Sequence, residues 1–431
     1  MFRSLVSEDQ DNDEASVGPA ARLEPGRRMS SDVAGPLSGI RVCDVTQNLA
    51  GPFCGQILAD LGATVIKVEP PGGDLGRAWG PPFWGGESTL FLSANRGKRS
   101  IVLDLKNEGG LGVLERLAKS CDVFLQASRP GVADRIGMGY ASVRRWREDV
   151  IYMSVSAYGQ KGPMREQPGY DPLMQAFSGM MSVTGHPDAP PTRAGGSVID
   201  FGTGMWAAIA ILGALRTRDA TGQGAELEAA LLDTALSWIS YHMMGCLATG
   251  QAPGPGGSSL GSIAPYRAFQ TADGYVMISA GNDRIFERLC AALGLDGLIK
   301  DTRFATNPDR VANREALDLL IEACTVKLPT DEALDLTRRH AVPASAINDI
   351  SQVLSDPQVT ESGMVPSTPH PEIPDYRDLS IPLRINADRP RADAPPPSCG
   401  ADTREILAEL GYSGAEVARL VETGAALVSE G

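Results

Sequence analysis

The pattern that most constrains this chain is a strand, a helix and a second strand in close succession. Residues 40–46 form a β-rich run, and Pro52 stands at the first turn of a helical stretch over 53–61. Gly62 occupies the expected C-cap position, and residues 63–68 form the next apolar run. A strand–helix–strand unit joins parallel strands, so the sequence predicts an α/β protein with a doubly wound parallel sheet.

The same alternation continues along the next part of the chain. Strands are predicted at 100–105, 122–126 and 150–156, and helices at 110–120 and 140–147. Each predicted helix stands between two predicted strands, which extends the parallel sheet.

Beyond Tyr170 the pattern becomes helical. Long helices are predicted over 204–215 and 226–245, followed by a Gly/Pro/Ser stretch at 251–261 that reads as a linker or mobile loop. Two strands around the turn at 271–274 and several helices then indicate a smaller second unit.

These changes of pattern predict the domain boundaries. Residues 1–34, with little to bury, are predicted to form a disordered tail. Residues 35–230 and 366–431 are assigned to a large domain, and residues 231–365 to linkers and a smaller α+β domain.

Charge narrows the range of partners. The 431 residues include 39 Lys and Arg against 53 Asp and Glu, a formal net charge of −14. This balance argues against general binding of nucleic acid or of an anionic membrane, although a local basic pocket for an anionic ligand is compatible with it.

Cysteine and histidine usage indicates the compartment and the chemistry. Seven scattered cysteines lack a CxxC pair, and the four histidines lack metal-ligand spacing, so neither a disulfide framework nor a metal is expected. No apolar run approaches the roughly 18 residues of a spanning helix. The N-terminus lacks the apolar segment of a secretory signal. We therefore expect a cytoplasmic protein.

A cationic cluster precedes the strand at 100–105. Arg96, Lys98 and Arg99 lie within four residues, and Lys106 follows that strand. In an acidic protein such a cluster suits a phosphorylated ligand, and it equally suits a solvated turn at the start of a strand.

Two further stretches carry carboxylates. Tyr170 and Asp171 follow a Pro-Gly turn and fit a helix-capping pair. Asp200 lies between apolar residues at the entry to an apolar helix, with Gly202 and Gly204 after it. Asp200 is either an N-cap or a nucleophile beside backbone N–H groups that stabilise developing anions.

Six segments in chain order carry a more specific signal: LSGIRVCDVTQNLAGPFCGQILADLGATVIKVEPPGGD, NRGKRSIVLDLK, RPGVADRIGMGY, PGYDPLMQAFSG, IDFGTGMWAAIAILGAL and PYRAFQTADGYVMIS. They resemble the family III CoA-transferases, or CaiB/BaiF proteins. This group includes formyl-CoA:oxalate and succinyl-CoA-dependent transferases and shares its fold with the α-methylacyl-CoA racemases. The similarity extends from about Leu37 to about Leu420.

The resemblance implies a fold and a mechanism. The fold is a Rossmann-like CoA-binding large domain, a smaller domain and two long linkers, in an interlocked homodimer of ring-like chains. The family nucleophile falls on Asp200. Its carboxylate attacks the acyl-CoA thioester to give an aspartyl anhydride, and the thiolate then forms an aspartyl-CoA thioester that passes CoA to the incoming acid. CoA is a substrate, and no permanently bound cofactor is expected. The loop Gly254–Gly261 resembles the family's glycine loop in position and fits a lid.

The resemblance also implies which residues contact CoA or substrate. Lys106, Leu103 and Arg135 match positions that hold adenine, ribose or phosphates, and Tyr170-Asp171 replaces the Tyr-Glu pair of the oxalate enzyme. Leu49, beside Asn48, stands where the oxalate enzyme has Gln, which argues against an oxalate-type site. The full predicted set is Asn48, Leu49, Ala50, Arg96, Lys98, Arg99, Leu103, Lys106, Ala127, Arg129, Arg135, Tyr170 and Asp171.

Two alternatives stay open at this point. A racemase of the same fold needs two acid/base groups, but its GHD histidine is replaced here by Tyr170, whose ordinary pKa near 10 suits that role poorly. A non-catalytic CoA-binding protein would be expected to lose Asp200. A dicarboxylate acceptor needs a cation near its far carboxylate, and Arg193 and Arg267 are the candidates.

Overall fold

The computed structural model describes residues 35–428, so the tail predicted at 1–34 lies outside the described residues. Twelve strands form within that range: β1 Arg41–Asp44, β2 Thr64–Glu69, β3 Phe83–Trp84, β4 Glu87–Ser88, β5 Lys98–Leu103, β6 Val123–Gln126, β7 Ile151–Ser156, β8 Ala225–Ala230, β9 Tyr266–Gln270, β10 Tyr275–Ser279, β11 Ala344–Ala346 and β12 Ala426–Leu427.

The α-helices of the same range are α1 Ala50–Asp60, α2 Thr89–Leu92, α3 Glu108–Lys119, α4 Val132–Arg135, α5 Tyr140–Trp146, α6 Asp171–Phe177, α7 Met180–Val183, α8 Val198–Thr221, α9 Leu231–Trp238, α10 Ser240–Thr249, α11 Asp283–Leu293, α12 Asn307–Ala312, α13 Arg314–Thr325, α14 Thr330–Arg339, α15 Ile350–Ser355, α16 Pro357–Ser362, α17 Thr403–Glu409 and α18 Gly414–Glu422. Two short 3₁₀ helices cover Leu75–Ala78 and Asp296–Lys300.

The central sheet has seven strands in the order β12-β5-β2-β1-β6-β7-β8. All its pairs are parallel except β12 with β5 at the edge. The predicted α/β class with a parallel sheet is confirmed. The chain runs outward from β1 to β5 and returns to the other side of β1 at β6. Where the order reverses, the loops after β1 and β6 diverge and leave a crevice at the carboxyl ends of the strands.

Helices cover both faces of this sheet. On one face α1 and α8 share an apolar core with the strands, to which Leu58 and Ile211 contribute. On the other face α3, α5, α17 and α18 form a second core that includes Leu117 and Ile406. Since both faces are buried, the inner strands consist mainly of apolar residues, as the sequence pattern required.

The helix predicted over 226–245 is wrong at its start. Residues 225–230 form β8, paired in parallel with β7, and helices begin only at Leu231. Glu226 and Glu228 are more exposed than the residues beside them, an alternation typical of an edge strand. No Gly or Pro separates β8 from α9, so the sequence contains no break at which to divide the run.

The predicted hairpin after residue 265 is confirmed. β9 and β10 pair antiparallel, and the N–H of Thr271 donates to the carbonyl of Gly274 across the turn at 3.0 Å. β11 adds a third strand, and a separate core around Phe269 and Phe286 lies against this sheet. The domain boundaries stay a prediction.

Helix α8 has the length and hydropathy of a membrane-spanning segment, and within residues 35–428 it is alone in this. This differs from the expectation that no apolar run approaches the length of a spanning helix. Half of its most apolar window is buried in the fold. Its packing against α1 accounts for that apolar composition.

Candidate active site

A cavity of about 350 Å³ opens at the crevice where the strand order reverses. Its walls come from the loops that follow β1, β6 and β7, and from the first residues of α8 and α9. The lining residues that carry the argument are Asn48, Ala127, Tyr170, Asp171, Arg193 and Asp200. All six are among the candidate site residues predicted from the sequence, although they are far apart in the chain.

The loop after β1 is held in place by the buried carboxylate of Asp74. The carboxylate of Asp74 accepts hydrogen bonds from the N–H groups of Asn48 (2.9 Å) and Gly76 (2.8 Å). It also forms an ion pair with Lys67 at 2.6 Å. Asn48 has φ of 66°, a left-handed conformation that asparagine tolerates better than most residues. These contacts fix the loop that starts α1 and bring Asn48, Leu49 and Ala50 to the cavity.

Asp200 is the third residue of α8, so its carboxylate lies at the positive end of a helix of 24 residues. Burial, and secondarily the negative charge of Asp171, raise the pKa of Asp200 to about 7. A carboxylate with this pKa is more basic than an ordinary Asp and still ionises near neutral pH. It therefore has the properties of a nucleophile.

Asp171 caps the helix that carries Asp200. Its side chain, 1% exposed, accepts hydrogen bonds from the N–H groups of Ile199 at 2.7 Å and Asp200 at 3.3 Å. Asp171 is thus a capping residue for the distant helix α8. Tyr170 is 46% exposed and packs beside Trp79, another residue of the cavity wall.

The two glycines after Asp200 are required by helix packing. A Cβ on Gly204 would lie 2.6 Å from the carbonyl oxygen of Ala50, where α8 crosses α1. A Cβ on Gly202 would lie 2.5 Å from the indole nitrogen of Trp238 on α9. Both glycines allow the close approach that sets α8, and Asp200 with it, into the cavity wall.

A second, polar cavity of about 550 Å³ lies beyond the end of β6. Arg129, Arg135 and Arg165 line it, and Arg135 also borders a neighbouring cavity that contains Lys106. Within residues 35–428, Arg129, Arg135 and Lys106 form no ion pair, because no carboxylate oxygen lies within 4.0 Å of their nitrogens. Arg165 was missed, since a lone arginine beside Glu166 gives no signal in the sequence.

The cationic cluster of Arg96, Lys98 and Arg99 is not brought to either of these cavities. Lys98 and Arg99 are the first two residues of β5, which begins earlier than the strand predicted at 100–105. Arg96, 1% exposed, forms ion pairs with Asp60 (2.6 Å) and Asp378 (3.1 Å). Lys98 is buried against Asp44 at 2.9 Å and donates to the carbonyl of Pro52 at 2.7 Å.

The last two members of the predicted set near β5 also lie elsewhere. Arg99 pairs with Glu409 at 2.8 Å, and the side chain of Leu103 is fully buried in the core. Because their side chains already have internal partners, we do not assign Arg96, Lys98, Arg99 or Leu103 to a ligand site.

The two candidate cations for a dicarboxylate differ in whether they already have an acidic partner. Arg193 lines the cavity of Asp200 and has no acidic partner in the described part of the chain. Arg267 is bound to Asp318 at 3.2 Å and Glu322 at 3.5 Å and does not line that cavity. The loop Gly254–Gly261 does not line it either, and Gly257 donates to the carbonyl of Gly185 at 2.8 Å.

Comparisons with known proteins identify the family of this chain. The model of CoA-transferase family III matches residues 37–403. A succinyl-CoA:glutarate CoA-transferase of Mus musculus is 38% identical over 93% of this chain and 93% of its own length. A succinate–glutarate CoA-transferase of Agrobacterium fabrum is 40% identical over 87% of this chain and 96% of its own.

A solved structure supports the same assignment. The crystal structure of a CaiB/BaiF family protein from Brucella suis superposes with a TM-score of 0.80 at 38% identity, covering 88% of this chain and all of that one. Sequence, fold and relatives agree over most of the described residues. The chain belongs to CoA-transferase family III and is a CoA-transferase.

Proposed function

We propose that this enzyme transfers CoA from succinyl-CoA, or a similar acyl-CoA, to a free dicarboxylic acid of the glutarate type, with Asp200 as the covalent nucleophile. The observation that carries the proposal is the position of Asp200. Its carboxylate, with a pKa raised to about 7, stands at a helix N-terminus in a cavity at the reversal point of a parallel sheet. The names of the two glutarate-acting relatives support the choice of acids.

The first half of the reaction loads CoA onto the enzyme. The Asp200 carboxylate attacks the thioester carbonyl, an acyl–aspartyl anhydride forms, and CoA leaves as its thiolate. The thiolate then attacks the aspartyl carbonyl, which gives an aspartyl-CoA thioester and releases the donor as a free acid. The incoming acid repeats the two steps in reverse and leaves as its CoA thioester. No ATP is needed, because activation of the carboxyl group is conserved throughout.

The α8 N-terminus and the side chain of Asn48 assist these steps. The tetrahedral intermediates carry negative charge next to the first turn of α8, where the helix dipole stabilises anions. The side chain of Asn48 lines the same cavity, and its buried Oδ1 has no hydrogen-bond partner among the described residues. Because a developing anion needs a hydrogen-bond donor, the Nδ2 group of Asn48, and not Oδ1, would contact the intermediate.

The CoA moiety would extend from the arginine cavity to Asp200 along the loop after β6. Ala127 lines the cavity of Asp200, and Arg129 lines the arginine cavity. Two residues span at most about 7 Å, so one short loop borders both cavities. Arg129, Arg135 and Lys106 would bind the phosphates by charge-assisted hydrogen bonds, and the pantetheine arm would pass Ala127.

Arg193 would bind the far carboxylate of the acceptor. It is the cation of the Asp200 cavity, and an unpaired guanidinium matches a carboxylate with two parallel hydrogen bonds. A monocarboxylic acid lacks that contact. Arg193 would therefore favour dicarboxylic acids over monocarboxylic acids of equal length.

Racemisation is less well supported by the geometry. It needs an acid and a base on opposite faces of the α-carbon. No histidine is among the described residues that line the cavity, and both carboxylate oxygens of Asp171 already accept hydrogen bonds. Tyr170 stands at the position of the racemase histidine.

The homodimer implied by the resemblance also belongs to this proposal. Helices α6, α8, α9 and α10 expose large apolar side chains, namely Leu173, Phe177, Met205, Trp206, Ile209, Trp238, Tyr241, Met244 and Leu247. Helix α10 has no buried residue. A surface of this kind is usually covered by another chain. A second copy would cover it, and light scattering of the purified protein would measure the dimer.

A mass spectrum of the CoA thioesters tests the activity. The enzyme is incubated without ATP in D₂O with succinyl-CoA, a 2-methylacyl-CoA and ¹³C-labelled glutarate. We expect labelled glutaryl-CoA with wild type and none with Asp200→Ala. Deuterium at the α-carbon of the 2-methylacyl-CoA, without ¹³C in any thioester, would overturn the proposal in favour of racemisation.

A further inference from the structure

The side-chain amide of Gln175 joins two parts of the cavity that are far apart in sequence. Gln175 lies on α6 and is fully buried. Its Nε2 donates to Oδ1 of Asp171 at 2.5 Å, and its Oε1 accepts from the N–H of Ala194 at 2.8 Å. Both ends of one amide are therefore used, each by a partner of the opposite hydrogen-bonding type.

The contact to Ala194 holds the loop that carries Arg193. Residues 190–196 contain no helix or strand. Within the described part of the chain, the bond from Ala194 to Gln175 is the hydrogen bond that ties this stretch to another element. Since Ala194 directly follows Arg193, Gln175 anchors the backbone from which the Arg193 side chain extends.

The contact to Asp171 leads to the nucleophile. Oδ2 of Asp171 accepts from the N–H groups of Ile199 and Asp200, while its Oδ1 accepts from Gln175. A continuous path of buried hydrogen bonds thus runs from the first turn of α8 through Asp171 and Gln175 to the Arg193 loop. The path therefore connects the backbone of the Arg193 loop to the backbone of Asp200.

The chemistry of the site selects glutamine. Ionised Asp171 can only accept, and the N–H of Ala194 can only donate, so the bridging side chain must donate at one end and accept at the other. Glutamate in this position would place a second acceptor against Asp171, and leucine would leave Oδ1 of Asp171 and the N–H of Ala194 without this partner.

We propose that Gln175 is a positioning residue that sets acceptor selectivity, by holding Arg193 at the distance from Asp200 that fits the two carboxylates of a dicarboxylic acid. This inference rests on the proposed function, because it assumes that Arg193 binds the far carboxylate. Gln175 acts through Arg193 and Asp171 and need not touch the substrate.

The test is a double-mutant cycle on Gln175→Leu and Arg193→Ala. For each variant, kcat/KM is measured with glutarate and with pentanoate, a monocarboxylic acid of equal chain length, at one saturating succinyl-CoA concentration. If pentanoate is not turned over, its inhibition constant against glutarate replaces the rate. The readout is the ratio of kcat/KM for glutarate to kcat/KM for pentanoate. A general loss of folded enzyme lowers both values by the same factor and leaves this ratio unchanged.

We expect each single variant to lower the glutarate selectivity by roughly tenfold or more, the size of one lost hydrogen bond to a charged group. The double variant should lose no more than Arg193→Ala alone, because both changes remove the same contact. Gln175→Glu should also lose selectivity, since it repels Asp171.

Three outcomes distinguish failure of the role proposed for Gln175 from failure of the role proposed for Arg193. If Arg193→Ala lowers the selectivity and Gln175→Leu does not, the role of Gln175 is wrong and the acceptor assignment stands. If the effects of the two changes multiply in the double variant, Gln175 does not act through Arg193. If Arg193→Ala leaves the selectivity unchanged, the dicarboxylate part of the proposed function fails, and the inference fails with it.

Discussion

The backbone N–H of Asp200 donates a hydrogen bond to the buried carboxylate of Asp171 at 3.3 Å. The capping group of α8 is therefore a negative charge beside Asp200, the proposed nucleophile. The arrangement opposes ionisation of Asp200 and, at the same time, fixes its backbone. Asp171 thus links the shape of the site to the proton affinity of its reacting group.

The first prediction concerns the pH dependence of transfer. Only ionised Asp200 attacks a thioester, so kcat/KM should rise with pH and level off above its pKa of about 7. Burial, the main cause of the raised pKa of Asp200, is kept in Asp171→Asn, whereas the smaller contribution of the Asp171 charge is gone, so the acidic limb should move part of the way to lower pH. Rates between pH 5 and pH 9, taken over the range where each variant stays folded, would check this. The exposed Asp188→Asn serves as the control, and an unmoved limb in Asp171→Asn would contradict the assignment.

The second prediction concerns stability. The folded-state pKa of Asp200 lies above the ordinary value of about 3.9, so the folded protein keeps a proton that the unfolded chain releases. The free energy of unfolding therefore falls as pH rises from about 4 to about 7, and the full cost is present above that range. Asp200→Asn should stabilise the protein at pH 8 by about 1–4 kcal/mol and by nearly nothing at pH 4. Denaturant titrations at both pH values measure the difference, and a destabilised Asp200→Asn at pH 8 would rule it out.

The third prediction separates two sets of cations. Arg135→Ala and Arg129→Ala should each raise KM for succinyl-CoA by about tenfold, as expected for a lost contact to phosphate. Arg99→Ala is the matched control, because Arg99 is paired with Glu409 and lies outside the cavities. Initial rates against succinyl-CoA concentration give the three KM values. A higher KM in Arg99→Ala alone would show that the cationic cluster of Arg96, Lys98 and Arg99 binds CoA.

The fourth prediction concerns Gly204 of α8. Gly204→Ala should destabilise the protein by about 1–3 kcal/mol, because the new Cβ meets the backbone oxygen of Ala50 and drives α8 from α1. Gly112→Ala, at an exposed position of α3 with open space around it and outside the apolar surface assigned to the dimer, should stabilise slightly through its better helix propensity. Thermal unfolding of both variants is the measurement, and equal effects would show that the crossing at Gly204 can relax.

The sequence predicted the sheet because a parallel sheet depends on local pattern. The local pattern around Asp200 fits an N-cap as well as a nucleophile, and the proposal that it is a nucleophile rests on the family resemblance. A strand, a helix and a strand at residues 40–68 imply the parallel sheet. The position of Asp200 follows from its apolar neighbours, the two glycines after it and the family motif. β8 was missed because it continues into α9 without a Gly or Pro.

The cationic cluster shows what a local pattern does not contain. Arg96 pairs with Asp378, which is 282 residues away in the chain. Lys98 on β5 pairs with Asp44 on β1, and strand β2 lies between these two strands in the sheet. Which cations stay free for a ligand depends on such distant partners. For the same reason the bridge from Asp171 through Gln175 to Ala194 could not be derived from spacing.

The most direct test of the central claim follows oxygen. The enzyme turns over succinyl-CoA and glutarate labelled with ¹⁸O in its carboxylates, and the peptide that contains Asp200 is then weighed. If the Asp200 carboxylate forms the anhydride, one oxygen of the acceptor stays on Asp200, so that peptide gains ¹⁸O while the peptide with Asp171 does not. If the two acids exchange CoA without a bond to the enzyme, the label appears in the released succinate and Asp200 stays unlabelled, which would contradict the account.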